Sequence, residues 1–283
     1  MVIHTPEDID FSTFPESDGQ PMAETYPNVL QMLDLLTTLE TLFDVQGRAG
    51  STTVGANQFV YYNPANGRDN ISPDVYAVFD VPPHNPPKWR TWVQGKFPDI
   101  VFEITSPSTQ YNDLSDAPGG KRARYALLGA REYYIYDPQQ EMAPPFLGFE
   151  RRGGRMAPLP ALPDGGIWSP LLRTELRPVA LPATELRAAG TWLRVIDPRS
   201  GQPIPALEEA YRTLQIAQEL LTEEVRARQA TRELLTEEVR ARQVAERARL
   251  AAEDRAAQAE ATLRALLAGA AHDHDTGNDL DQD

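Results

Sequence analysis

The sequence contains no cysteine and only three lysines, at positions 88, 96 and 121. Without cysteine, disulfide bridges, thiolate zinc sites and a thiol nucleophile are excluded. No apolar run is long enough to span a bilayer, and the acidic N-terminus lacks the basic start and apolar stretch of a signal peptide. We therefore expect a cytoplasmic protein with no membrane segment.

Positive charge is also scarce, and the formal net charge is −14. This argues against a nucleic-acid partner, because neutralising phosphates requires Lys and Arg. The acidity is concentrated at the periphery, however. From Gln202 onward ten arginines stand against seventeen acids, whereas residues 68–137 carry eight basic and nine acidic side chains. The central part of the chain is close to neutral and remains compatible with DNA.

Composition divides the chain into four segments. Residues 1–27 are acidic, Pro-rich and aperiodic, which predicts a flexible arm. Residues 28–197 have the strand and helix patterns of one domain. Residues 203–268 predict a long helix or weak coiled coil, and the acidic ending 269–283 predicts a disordered tail.

Hydrophobic periodicity predicts an α/β domain with a mixed sheet. An amphipathic helix is predicted from about Asn28 to Phe43. Strands are predicted at residues 58–62, 74–81, 99–105 and 132–137. The segment KRARYALLGA between the last two predicts a helix capped by Gly129, so strand, helix and strand form a crossover. FLGFERRGG and WSPLLRTELRPVAL predict a hairpin and a terminal strand.

A duplication marks the C-terminal part. ELLTEEVRARQATR at 219–232 is followed directly by ELLTEEVRARQVAE at 233–246, and fourteen residues are two heptads. We predict a long helix from about Pro205 to Leu267. Only about half of the residues at four-three spacing are apolar, while Glu–Arg pairs at i,i+4 support a solvated helix. A weak coiled coil and a single extended helix both remain open.

A carboxylate interrupts the predicted strand PDIVFEIT. Because side chains alternate along a strand, Ile100, Phe102 and Ile104 share the predicted core face, and Glu103 points away from it. Glu103 is then either a solvated strand residue or a functional acid. Asp74, after Pro73, is either a turn residue or a second such acid.

Two carboxylates on neighbouring strands would suit a hard cation. Mg²⁺ takes one or two carboxylates and keeps water and phosphate oxygens in its other positions. Hydrolysis of a phosphodiester also needs a group that orients water and neutralises charge. Lys121, which starts the helix after the Glu103 strand, is either that group or a surface lysine.

These residues together resemble the Uma-type restriction endonuclease family, a branch of the PD-(D/E)XK nuclease superfamily. The resemblance rests on an upstream Pro-Asp, then PDIVFEITSPS, then Asp, Lys, Tyr and GAREYYIYDP in that order. It covers residues 70–140 well and 28–70 and 140–185 less sharply. It implies a restriction-endonuclease-like mixed sheet flanked by helices, and Mg²⁺-dependent cleavage of DNA, with Mn²⁺ as a substitute.

Carried over by position, the resemblance makes Asp74 and Glu103 the metal ligands, with the carbonyl of Ile104 as a further ligand. Thr105 stands in the usual place of the motif lysine. The resemblance implies that Lys121 replaces it, with Tyr125 one turn later on the same helix face. Asp99 lies about 13 Å along the strand from Glu103, too far to share a metal.

Asp113 is interpreted as a cap at the approach to the following helix.

The preferred hypothesis is a Mg²⁺-dependent endonuclease with catalytic Asp74, Glu103 and Lys121. One alternative is a catalytically weak or inactive nuclease-fold protein that forms homo-oligomers through its C-terminal helix. Another is a protein that binds nucleic acid without cleaving it.

Overall fold

The structure is a computed structural model that describes residues 25–275. The predicted arm 1–27 lies outside the described residues except for its last three. The predicted disordered tail 269–283 was wrong for residues 269–275, which continue the C-terminal helix, and its remaining residues lie outside the described part. The first element is helix α1, Tyr26–Val45, which has a proline in its first turn, where the missing N–H has no intrahelical partner. It is two residues longer at each end than predicted.

The remaining elements follow in chain order. Those before residue 140 are β1 Thr52–Ala56, β2 Val60–Tyr61, β3 Asn70–Ile71, β4 Val75–Phe79, β5 Trp89–Arg90, α2 Thr91–Gln94, β6 Ile100–Ile104, α3 Gln110–Leu114, α4 Lys121–Leu128 and β7 Glu132–Tyr136. Those after it are β8 Phe146–Arg152, β9 Arg155–Pro158, β10 Ile167–Ser169, β11 Thr174–Leu181, β12 Gly190–Val195 and α5 Leu207–Asp275.

The central sheet has the strand order β1-β4-β6-β7-β8-β9. Strands β6 and β7 are parallel and are joined by the crossover through α4, whereas the other neighbouring pairs are antiparallel. The predicted mixed α/β architecture is therefore confirmed. Two smaller sheets, β10-β11-β12 and β3-β2-β5, complete the strand pairing of the described residues.

Both faces of the central sheet are buried. Ile100, Phe102 and Ile104 pack with Leu35 and Leu39 of α1, as their alternation predicts. The opposite face is a second apolar cluster that includes Val101 of β6, Tyr125 of α4 and Tyr133 of β7. Glu103 lies on the face opposite Ile100, Phe102 and Ile104, as predicted, but the alternative of a solvated strand residue was wrong, because α4 covers that face and leaves Glu103 only 1% exposed.

Several strands departed from the sequence prediction. Strand β1, which pairs with β4 along its whole length, was not predicted. The predicted hairpin is β8 with β9. The predicted terminal strand is instead the hairpin of β10 and β11, and the missed strand β12 pairs with β11.

Helix α5 belongs to two units, since the described chain divides between Arg212 and Thr213. From Thr213 to Leu267 every side chain of the helix is exposed. The predicted i,i+4 pairs are present: Arg228 Nη2 lies 2.6 Å from Glu224 Oε1, and the Glu238–Arg242 pair repeats that distance. None of the helices in the described part of the chain has the length and apolar character needed to cross a membrane.

We predict that Leu39→Ala lowers the free energy of unfolding by roughly 2–5 kcal/mol, because the Leu39 side chain of α1 is fully buried against the central sheet. Leu33→Ala is the matched control in the same helix. Leu33 is 45% exposed, so its truncation should change stability by about 0.5 kcal/mol. Urea unfolding measures both, and equal losses would contradict the assigned packing of α1.

Candidate active site

The pairing of β4 with β6 brings Asp74 beside the strand of Glu103. The two strands are antiparallel with Val75 opposite Phe102, so the residue before β4 reaches the C-terminal end of β6. The amide N–H of Ile104 donates to Asp74 Oδ2 at 2.6 Å. Asp74 is half-buried, so this end of the sheet is open to solvent on its side.

The Glu103 carboxylate is buried under α4, with 1% of the residue exposed. Its Oε2 accepts a hydrogen bond from Lys121 Nζ at 2.7 Å, and its Oε1 accepts one from the Tyr125 hydroxyl at 2.6 Å. Lys121 and Tyr125 lie one helical turn apart, which places both side chains on the face of α4 that covers β6.

Local sequence explains why α4 begins where it does. Gly120 precedes the helix, and a Cβ at that position would collide with the backbone and side chain of Ser115. Gly129 ends the helix at φ +105°, a conformation that glycine adopts freely, and its N–H bonds to the Tyr125 carbonyl. The predicted Gly129 cap is confirmed, and these two glycines fix the position of Lys121 and Tyr125.

Asp113 was assigned wrongly from the sequence as a helix-approach cap. It lies inside α3, is 1% exposed, and its Oδ1 is 3.1 Å from Lys121 Nζ. The Ser-Pro-Ser-Thr loop turns the chain into α3, with the Gln110 N–H donating to the Ser106 carbonyl at 2.8 Å. The Asp, Lys, Tyr order in the sequence was the signal that could have identified this residue.

Thr105, in the usual place of the motif lysine, has a structural role of its own. Its hydroxyl donates to Asp113 Oδ2 at 2.7 Å, and the Tyr133 hydroxyl donates to the Asp113 carbonyl at 3.0 Å. Asp113 is thereby fixed in a position that lets it share the Lys121 ammonium with Glu103.

The electrostatics of the cluster reflect its burial and its excess of acids. Burial raises the pKa of Glu103 well above its usual range; the Lys121 ammonium opposes this shift, and Asp74 and Asp113 add to it. Burial alone would lower the pKa of Lys121, but Glu103 and Asp113 outweigh it and raise that pKa. Lys121 therefore carries its proton at neutral pH.

Residues 17–181 match the sequence profile of the Uma2 family, "Putative restriction endonuclease". The chain belongs to the Uma2 family. A crystal structure of "a putative nuclease belonging to DUF820" from Anabaena variabilis is similar at 15% identity and a TM-score of 0.39, covering 60% of this chain and 91% of that one. No curated protein matches the chain. The resemblance inferred from the ordered residues is confirmed at the level of the family.

The acidic side chains around Lys121 offer only oxygen atoms as ligands, which is the ligand type that Mg²⁺ prefers. Asp74, Glu103 and Asp113 place three carboxylates near the single Lys121 ammonium. Among residues 25–275 no group of three or more His, Asp or Glu side chains is arranged to hold a metal by itself. Mg²⁺ does not require such a cage, because one or two carboxylates suffice when water and phosphate oxygens complete its shell.

The remaining sequence candidates are also placed by the fold. The Ile104 carbonyl accepts a long hydrogen bond of 3.4 Å from Asn28 Nδ2. Asp99, excluded as a ligand on distance, lies at the other end of β6, where its Oδ2 is 2.8 Å from Lys96 Nζ and accepts the Phe79 N–H. Asp99 and Lys96 therefore have structural partners away from Glu103.

We predict that Tyr125→Phe lowers the free energy of unfolding by about 1–3 kcal/mol, because it leaves a buried carboxylate oxygen without its donor. Tyr136→Phe is the matched control. It removes a hydroxyl that donates at 2.6 Å to the Thr191 carbonyl, a neutral and partly buried acceptor, so its loss should be about half as large. Thermal unfolding compares the two, and a larger effect at Tyr136 would contradict this account of Glu103.

Proposed function

We propose that this Uma2 protein is a Mg²⁺-dependent endonuclease that hydrolyses DNA phosphodiester bonds. The observation that carries the proposal is the 2.7 Å contact between Lys121 Nζ and Glu103 Oε2, which brings a lysine from α4 to an acid on β6 although Thr105 occupies the motif position. Family membership supports nuclease chemistry in general. The acids beside Lys121 support the metal-dependent form of it.

The carboxylates of Asp74 and Glu103 and the carbonyl of Ile104 would hold the cation, with Mn²⁺ as a substitute for Mg²⁺. When bound, such an ion polarises a phosphoryl oxygen and lowers the pKa of a coordinated water. The half-buried Asp74 supports access from solvent to these ligands.

Lys121 would position the attacking water and stabilise negative charge on the phosphate. Its ammonium has three N–H donors; Glu103 Oε2 accepts one of them and Asp113 Oδ1 forms an ion pair at 3.1 Å, so donor capacity remains for a water or a phosphate oxygen. The Lys121 side chain is 20% exposed, which supports contact with a substrate at the surface. Asp113 and Tyr125 would act as positioning residues, the first on Lys121 and the second on Glu103.

We predict that Glu103→Gln lowers Mg²⁺-dependent plasmid cleavage by about 100-fold or more, since it removes a charged ligand worth several kcal/mol in the transition state. The matched control is Glu132→Gln. Glu132 is equally buried on the adjacent strand β7, but its carboxylate binds Ser169, Tyr134 and the Leu171 N–H.

Cleavage is measured with Mg²⁺, with Mn²⁺ and with EDTA, and circular dichroism verifies that each variant is folded. Glu132→Gln should retain cleavage. Equal activity of wild type and folded Glu103→Gln would remove the proposed site, and equal losses in both variants would assign the effect to burial.

We predict that Asp113→Asn lowers the cleavage rate by roughly 10–100-fold, because outer residues that orient a functional group have effects of this size. Asp116→Asn is the matched control, since Asp116 is exposed and its nearest ion-pair partner is Arg122 at 3.5 Å. Single-turnover kinetics should show the loss in the rate constant and not in the DNA concentration needed for half-saturation. A change in that concentration alone would place Asp113 in DNA binding instead.

A further inference from the structure

The C-terminal helix carries an exposed seam, defined as the residues at alternating four- and three-residue steps from Leu221 to Leu267. Its ends are apolar: Leu221 and Val225 at the start, and Leu263 and Leu267 at the finish. These four side chains are between 55% and 64% exposed, and the whole seam is exposed within a single chain. Two apolar ends at coiled-coil spacing indicate a surface that a second helix covers.

The charges along the seam are segregated by sign. Its first half contains Arg228, Arg232 and Arg242 and no acid. Its second half contains Glu246, Glu253 and Glu260, with Arg249 as the one exception. A parallel copy in register would place arginine against arginine and glutamate against glutamate, which opposes association.

We infer that α5 binds α5 of a second copy of this chain in antiparallel orientation, with the two-fold axis at residue 244. The partner is a second copy because the complementary charges lie on the same seam, as an isologous interface requires. If Leu221 is assigned to heptad position d and Val225 to position a, each layer of this register pairs an a residue of one helix with a d residue of the other. The inference rests on the seam alone and is independent of the proposed nuclease activity.

The register pairs the seam as follows. Leu221 lies opposite Leu267 and Val225 opposite Leu263, so apolar layers close both ends. Arg228 lies opposite Glu260, and Arg242 opposite Glu246. Because the interface is symmetric, each of these pairs occurs twice in the dimer.

The centre of the seam is weaker. Leu235 lies opposite Glu253, and Val239 opposite Arg249, whose aliphatic stem can cover it while the charged group stays in water. Arg232 lies opposite Ala256, which leaves room for the longer side chain. The overlap of the two helices is roughly 70 Å at 1.5 Å per residue.

The absence of cysteine makes the orientation directly measurable in the full-length protein. We predict that Leu221→Cys and Leu267→Cys proteins, mixed under reducing conditions and then oxidised, form a disulfide-linked dimer between the two variants. Neither variant should cross-link when it is oxidised alone, because identical positions are then roughly 70 Å apart. Variants labelled with different masses identify the linked pair on a gel.

Sedimentation of the wild type should give the mass of a dimer. Cross-linking of Leu221→Cys alone would overturn the antiparallel orientation. A dimer that cross-links in neither experiment would overturn the register, and a monomer at micromolar concentration would overturn the interface. Each of these outcomes leaves the proposed nuclease site untouched.

A charge exchange tests the register without cysteine. Arg228→Glu should weaken dimerisation at least about tenfold by placing Glu opposite Glu260, and adding Glu260→Arg should restore it. Arg226→Glu changes the same charge at a position outside the seam and should have little effect. Failure of the second exchange to restore the dimer would overturn the pairing of these two positions.

Discussion

The buried carboxylate of Glu103 is the constraint on which the rest of the site depends. A charge removed from water is tolerated only when opposite charge and hydrogen bonds compensate it. Here Lys121 and Tyr125 supply that compensation from successive turns of one helix. The crossover through α4 therefore does more than connect two parallel strands, because it covers the second face of the sheet and brings the donors for the acid that it buries.

The placement of the lysine on α4 changes what the neighbouring strand residue can do. A residue two positions after Glu103 lies on the same face of β6, and here it is Thr105. Its hydroxyl donates to Asp113 Oδ2 at 2.7 Å. The ammonium is thus held from two sides, by the strand acid and by the helix acid, and the chain Thr105, Asp113, Lys121, Glu103 links three elements that are separate in sequence.

Part of this architecture could be predicted from local pattern alone. The alternation of Ile100, Phe102 and Ile104 predicts one core face, and the position of Lys121 at the start of the helix after the Glu103 strand predicts that it approaches the acid. The burial of Glu103 could not be read in the same way, because it depends on α4 packing against β6 across a crossover. Asp113 was misassigned for a related reason, since its partners are Thr105, directly after β6, and Lys121 of α4, and only the Asp, Lys, Tyr order along the chain distinguishes it from a capping residue.

The missed strands have a comparable explanation. Strand β1 contains the sequence TTVGA, in which glycine argues against a strand by propensity. In the folded sheet Gly55 lies opposite Tyr76, and a Cβ there would collide with the tyrosine ring. Tertiary packing thus requires the residue that makes the strand difficult to predict.

The long helix presents the opposite case, because its pattern of local interactions predicts the helix, whereas a single chain does not determine the contacts between helices. The i,i+4 pairs Glu224–Arg228 and Glu238–Arg242 stabilise the helix by a few tenths of a kcal/mol each, whether or not a partner is bound. Arginines at seam positions reduce the apolar area available for association, so they weaken any coiled coil. They also make its orientations unequal in energy, because segregated charges oppose the parallel pairing and favour the antiparallel one. A seam that is only half apolar is therefore consistent with an interface whose polar residues select orientation while its apolar ends supply the attraction.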